Sequence, residues 1–415
     1  MGHLLMVESW VGSMSTLLPA GIGDSGHTFS FLTRDLGHYL RGKPGTHPLL
    51  AAANVLTAET NDEDTLLPYV RRLHEVLGFD GVLSSCDYYL PTVAAIAADL
   101  GLPGPGRDAV AAACQKHRTR ELCGAAGVPG PAFAVVTCAE EAVEAARGIG
   151  YPVVVKPVDL CGGMFVTRAE DDAQLREALD RLGGFPRNAR GQERSPQVLV
   201  EKLLHGPEFS VETVTARGIT TVVGVTDKRL TGAPAFIEAG HMFPAALSPA
   251  EHEALTGTAR AAISALGLDD TVAHIEIMLT AEGPRLIEVN PRPAGNRITE
   301  LVRRVTGIDL AAVHAQVAAG QTPDLTVRPT GIGSAAIAFV VPQEAGALIA
   351  LSGAQNWPHD PRIVEHTLAE PGATVQAATN NNNYLGHVMV AVESSGAAGD
   401  LAQSLIEKLS VEVAR

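Results

Sequence analysis

The stretch Arg285-Leu-Ile-Glu288-Val-Asn290-Pro-Arg292, preceded by His274-Ile-Glu276-Ile-Met-Leu, decides how this chain is read. In an extended strand residues two apart share a face, so Glu288 and Asn290 project together while Ile287 and Val289 point the other way. Glu276 stands on a second run of the same alternating character. Two neighbouring strands would then gather two carboxylates and an amide oxygen at one point, and hard oxygen donors suit Mg²⁺. Arg292 stands beside them, placed to take up anionic charge. A plain hairpin with solvated acids on its outer face has the same local pattern, so the rest of the chain has to choose.

At 415 residues the chain exceeds what one core usually supports, and two to three domains are expected. Hydrophobic residues make up 46% and charged residues 19%, with Ala-rich helical stretches alternating with runs such as Pro152-Val-Val-Val-Lys156. That alternation points to α/β architecture. A net charge of -15 argues against a nucleic-acid surface, which needs clustered Lys and Arg, and leaves small molecules as the expected partners. Cys86, Cys114, Cys123, Cys138 and Cys161 form no CxxC pair, which fits a reducing cytosol and offers no zinc site. The start Met1-Gly-His-Leu-Leu-Met lacks a basic leader, and no run of about 18 apolar residues occurs, so a cytoplasmic protein without a membrane partner is expected.

Apolar runs at 3–8, 28–33 and Val82-Leu-Ser-Ser, separated by helical patterns, predict an N-terminal parallel α/β domain over 1–106, closed by the breaker Gly101-Leu-Pro-Gly-Pro-Gly106. A second region, 107–196, holds a helical segment at 107–126, the strand Tyr151 to Lys156, a glycine loop at 159–163 and an acidic helix at 169–182. A third, 197–322, is strand-rich at 197–202, 208–215, 220–227 and 272–290. The last, 323–415, reads as a further α/β portion in which Asn380 to Asn383 forms a polar turn. Two motifs mislead. Gly21-Ile-Gly23-Asp-Ser-Gly26 has the GxGxxG spacing but is followed by the strand-like Thr28-Phe-Ser-Phe-Leu, where a dinucleotide site needs a helix. Residues 37–43, GHYLRGK, satisfy most of a P-loop, yet Pro44 stands where the metal-binding Ser or Thr belongs. No GxSxG elbow or HExxH pair supports a hydrolase.

Between 116 and 297 the order and spacing of motifs resemble the ATP-grasp superfamily. Lys116 opens Lys-His-Arg-Thr-Arg-Glu-Leu ahead of Gly127-Val-Pro129, and Lys156 ends Tyr-Pro-Val-Val-Val-Lys-Pro; these resemble the family's two nucleotide lysines, whose ammonium groups offset polyphosphate charge. Asp159-Leu-Cys-Gly162-Gly163-Met resembles the loop over the phosphates, although Cys161 and Met164 depart from its usual Ser/Gly-rich form. Glu201-Lys202-Leu-Leu204 resembles the adenine segment, in which a carboxylate and backbone groups read the purine edge. Glu208 matches the position that bonds ribose hydroxyls. The resemblance makes Glu276, Glu288 and Asn290 ligands of two Mg²⁺ ions, with Mn²⁺ acceptable to the same oxygens. It sets Arg292 against the transferred phosphoryl group and Arg297 at a substrate carboxylate. It implies an ATP-grasp fold: an N-terminal parallel α/β domain, a two-lobed nucleotide site and a C-terminal α/β portion.

A finer resemblance, to the L-amino acid ligases, rests on Asp227-Lys228-Arg-Leu-Thr-Gly-Ala-Pro-Ala-Phe236-Ile-Glu238-Ala-Gly-His241-Met-Phe-Pro244. Val7-Glu-Ser, Phe31-Leu-Thr-Arg34-Asp35, Gly333-Ser-Ala-Ala-Ile-Ala-Phe and Gly386-His-Val-Met-Val share it more loosely. It implies ligation of one amino acid's carboxylate to another's amine through an acyl phosphate, with ADP and phosphate released. Glu238 would meet an ammonium group and His241 would lie in the amino-acid pocket as a base, a role the departing phosphate can also fill. In the plainer reading Glu238 caps a turn and His241 packs on Phe243. Lys156 and Arg292 would neutralise charge at the reacting phosphoryl. The family also implies a homodimer through the N-terminal domain. Competing readings are a ligase acting on a non-amino-acid carboxylate, an ATP-grasp kinase phosphorylating a hydroxyl, and a non-catalytic nucleotide-binding regulator.

Overall fold

The computed structural model describes residues 2–40, 48–231, 236–381 and 383–414. The N-terminal domain runs β1 His3–Val7, α1 Met14–Asp24, β2 Thr28–Thr33, α2 Leu36–Leu40, β3 Asn54–Thr57, α3 Glu63–Leu77, β4 Gly81–Leu83 and α4 Leu90–Leu100. Its strands pair in parallel in the order β3-β2-β1-β4. β1 is buried on both faces: Leu4 and Met6 pack with Leu18 and Ile22 of α1, and Leu5 and Val7 with Leu66 of α3 and Ile96 of α4. This continuous apolar character is what a parallel strand covered by helices requires. The sequence reading misses β3, a four-residue edge strand. Gly21 and Gly23 lie in the last turns of α1 and Gly26 follows it, so these glycines end a helix where a dinucleotide turn would open one. Of the P-loop-like stretch, Gly37 to Leu40 belong to α2, and 41–44 lie outside the described residues.

The segment expected as one helix over 107–126 is two, α5 Arg107–Ala113 and α6 Lys116–Ala125, broken at Cys114-Gln115. The small lobe follows: β5 Phe133–Val136, α7 Ala139–Ile149, β6 Val153–Pro157, β7 Thr167–Ala169, α8 Asp172–Gly183 and β8 Val198–Lys202, a strand that the sequence reading sets in the third region, 197–322, but that pairs here with β5 and β6. Its antiparallel sheet, ordered β5-β8-β6-β7, packs Val153, Val155 and Val200 against Ala142 and Ala146 of α7 and Leu175 of α8. The acidic helix starts three residues later than expected because 167–169 form β7 and Asp171 caps α8 through the Ala173 and Gln174 amides.

The rest comprises β9 Glu208–Ala216, β10 Ile219–Leu230, β11 Glu238–Phe243, α9 Pro249–Leu266, β12 Thr271–Thr280, β13 Gly283–Asn290, α10 Ile298–Thr306, α11 Leu310–Ala318, β14 Ser334–Phe339, β15 Gly346–Ser352, β16 Ile363–Leu368, β17 Thr374–Val375, β18 Gly386–Val392, α12 Ala398–Glu407 and β19 Ser410–Ala414. One eight-stranded sheet, ordered β13-β12-β9-β10-β11-β14-β18-β16, takes in three strands from beyond residue 323, while β17-β15-β19 form a separate small sheet. Phe209, Val211, Val225, Ile275 and Ile277 meet Leu255, Ala259 and Ile263 of α9 on one face. Glu208, Ser210 and Glu212, alternating with the α9-facing residues, look the other way. On that second face α10 and α11 cover Val214, Ile337, Phe339 and Met389. α1 lies on α11 at Gly21, where a Cβ would stand 2.5 Å from the Ala312 amide nitrogen. Among the described residues no helix is long and apolar enough to cross a membrane.

Candidate active site

Antiparallel register turns scattered acids into a row. Glu288 of β13 lies opposite Glu276 of β12, and Asn290 opposite His274. Glu276 lies opposite Ser210 of β9. Two residues before Ser210, and on its face, Glu208 lies opposite Lys228 of β10, which in turn lies opposite His241 of β11. Five adjacent strands thus bring together the side chains that the resemblance assigns to metal, nucleotide and amino acid.

Lys228 stands at the centre of this row, and no role attaches to it in the sequence reading. It is 4% exposed, with its ammonium 2.8 Å from Glu208, 2.7 Å from Glu276 and 3.2 Å from Glu238. Burial opposes its charge, but the three carboxylates outweigh that and hold it well above the ordinary lysine value. Against the same burial, Lys228 holds Glu238 and Glu276 well below the carboxylate range. For Glu208 burial prevails and its value rises. His274 bridges Glu212 at 3.0 Å and Glu276 at 3.2 Å; burial is outweighed by these acids and the imidazole is pushed up to about 9.

A second buried group ties the lobes together. The Glu201 carboxylate lies 2.7 Å from Arg120 Nε and 2.6 Å from Lys156 Nζ, so it anchors Lys156 instead of standing free for a purine edge. Burial alone would raise Glu201, but these two cations hold it below its ordinary value, while burial lowers Lys156. Arg120 also donates to the Ile287 carbonyl of β13 at 2.7 Å, spanning from small-lobe strand to large-lobe strand. Lys202 is exposed at the end of β8 and Leu204 half-buried just beyond it. Lys116 pairs with Glu288 at 2.9 Å, and that carboxylate overcomes burial to raise its value. Gly162 and Gly163, at φ 66° and 71°, take the left-handed backbone expected of the glycine loop.

Arg292 is held by Asp87 of the N-terminal domain at 2.8 Å, and Asp87 also accepts from Trp10 Nε1 at 2.7 Å. Asp87, two residues beyond the expected strand Val82-Leu-Ser-Ser, is a contact that only the fold reveals. Glu238 caps no turn: it lies in β11, meets His241 Nε2 at 3.2 Å and accepts from Asn296. His241 is edge-on to Phe339 at 5.8 Å, so the packing partner is Phe339 and not Phe243. Arg297 is turned to Glu365 of β16 at 2.8 Å, beside His387, and does not join the Lys228 group.

The donor set fits Mg²⁺. Among the described residues no cluster of three or more His, Cys, Asp or Glu forms a ready cage. Mg²⁺ is commonly held through one or two carboxylates plus substrate phosphates, which Glu276, Glu288 and the amide of Asn290 can supply. The ammonium groups of Lys228 and Lys116 against those carboxylates show that both positions favour a cation.

Residues 149–300 match the ATP-grasp domain family, 26–104 the ATP-grasp N-terminal domain, and 338–414 the L-amino acid ligase C-terminal domain 2. The chain is 31% identical over 273 residues to carnosine synthase 1 of Homo sapiens, covering 62% of this chain and 33% of that protein. It is 25% identical over 271 residues to alanine–anticapsin ligase of Bacillus subtilis (strain 168), covering 61% and 57%. The chain therefore spans a third to little over half the length of these relatives. An L-amino acid ligase structure from Bacillus licheniformis superposes with a TM-score of 0.83 at 22% identity, over 100% of this chain and 99% of that one, which establishes a shared fold. The chain therefore contains an ATP-grasp domain with an ATP-grasp N-terminal domain before it, and a C-terminal portion like that of the L-amino acid ligases.

Proposed function

We propose that this protein is an ATP-dependent ligase that joins the carboxylate of one amino acid to the amine of a second, releasing ADP and phosphate. The observation that carries the reading is the single row from Glu288 to His241, in which the metal positions and the amino-acid pocket share Lys228. A carboxylate oxygen of the first amino acid attacks the γ-phosphorus of ATP, and the bond from that phosphorus to the bridging oxygen breaks, freeing ADP. The acceptor amine then attacks the acyl carbon; phosphate leaves with its oxygen, and the amine proton passes to His241 or to the phosphate itself. Mg²⁺, when bound by Glu276, Glu288 and Asn290, neutralises phosphate charge as the transfer proceeds.

Lys116 and Lys156 hold the polyphosphate, and Gly162 and Gly163 offer backbone amides to it. Arg292, positioned by Asp87, faces the transferred phosphoryl group. Glu238 takes the substrate ammonium, and Glu208 the ribose hydroxyls. Arg297 is left to balance Glu365 of β16. The similarity to carnosine synthase and to alanine–anticapsin ligase supports an amino acid on at least one side of the bond. A screen of amino-acid pairs for ADP release, with product masses recorded, tests the proposal. Hydroxylamine added to the same mixtures should yield a hydroxamate, since it intercepts an acyl phosphate. Pair-dependent ADP release without hydroxamate would favour a kinase, and no ADP release with any pair would sink the amino-acid reading.

A further inference from the structure

We infer that Asn381, in the C-terminal polar turn, is a positioning residue that couples the glycine loop over the nucleotide to the amino-acid pocket; this rests on the ligase reading above. Its backbone N–H donates to the Gly162 carbonyl at 3.2 Å. Its side-chain Oδ1 accepts from the backbone N–H of Glu238 at 3.1 Å. The same amide lies over Gly163, where a Cβ would come within 3.8 Å of Asn381 Nδ2. One residue therefore touches both ends of the site, 143 positions from one partner.

Its surroundings make that tie specific. Tyr384 donates to the Glu238 carbonyl at 2.8 Å and stacks on Phe339 at 4.3 Å, so the first residue of β11 is held through both its backbone groups, by Asn381 and Tyr384. Beside the glycine loop, a cavity of about 270 Å³ opens between Met164, Phe165, Val166 and Thr167 on one side and Thr379 on the other. An amino acid engaging Glu238 would steady β11, Asn381 would transmit this to Gly162, and the loop would close more firmly on nucleotide. Linkage makes the effect reciprocal, with the same factor in both directions.

The test measures Mg·ADP binding to the full chain with and without an equimolar mixture of the twenty proteinogenic L-amino acids. In the wild type the mixture should tighten ADP binding about five-fold or more, the low end of ordinary coupling. Asn381→Ala should bind ADP alone with unchanged affinity but respond to the mixture by less than about two-fold. Asn381→Asp keeps the acceptor oxygen and should recover most of the response. An Asn381→Ala protein with the full wild-type response overturns the inference, as does a wild type with no response. Failure of the ligase reading itself would show separately, as absence of ADP release from ATP with any amino-acid pair.

Discussion

Lys228 illustrates how a single charge governs its neighbours. Three carboxylates converge on it in a nearly closed space, and removing the cation leaves them without compensation. Lys228→Met should lower stability by about 3–5 kcal/mol, read from urea denaturation, a loss typical of a broken buried pair. Glu288→Ala and Arg292→Ala should abolish ADP formation while circular dichroism stays native; turnover surviving in either would remove its metal or phosphoryl assignment. The two kinds of residue were not equally legible. Glu276, Glu288 and Asn290 declare themselves because alternation within a short segment fixes which side chains share a face. Lys228, Asp87 and Arg120 act through pairings that local pattern does not contain: Asp87 and Arg292 are 205 positions apart, Arg120 and Ile287 167.

Among the elements, α9 carries the site without touching it, since its apolar face supports the α9-facing side of β9 and β12. Its start is secured by a capping box, in which Ser248 accepts from the Glu251 amide and Glu251 accepts from the Ser248 amide. Ser248→Ala should cost about 1 kcal/mol, seen as a lower denaturation midpoint, with kcat for ADP release unchanged. Long alternating strands and capped helices were legible for the same reason: their signal is repeated over many residues. β3, with four residues at a sheet edge, offers too few, and the break between α5 and α6 falls in an Ala- and Cys-containing run with no Gly or Pro to mark it. The turn at 379–381 reads as merely polar because its partners, Gly162 and Glu238, lie in other units of the chain.

At the scale of the whole molecule, one buried histidine where the units meet responds to acid. His314 of α11 lies in a small space with Ser84 and Leu90 of the N-terminal domain, Thr271 of β12 and Pro291 just beyond β13. Burial, opposed weakly by the Ser84 backbone, pushes its imidazole down to about 4 from an ordinary 6.5. Between those values the unfolded chain binds more protons than the folded one, so this contribution is complete above pH 6.5 and is lost as pH falls towards 4. At about 1.4 kcal/mol per pH unit the loss approaches about 3 kcal/mol. Stability measured from pH 7 to 4 should therefore slope less steeply in His314→Leu than in the wild type; identical slopes would refute it.

The eight-stranded sheet also has a history within each molecule's synthesis. β11 gains its second neighbour only when β14 arrives, with Gly240 aligned to Ala338 and Phe243 to Ala335. A ribosome adding roughly 5–20 residues per second therefore leaves β11 as an open edge for several seconds after it emerges. Such an edge can recruit a strand from another nascent chain. The strand that carries Glu238 and His241 is therefore enclosed on both sides only late in translation, and a chain stalled before β14 would be a candidate for chaperone capture.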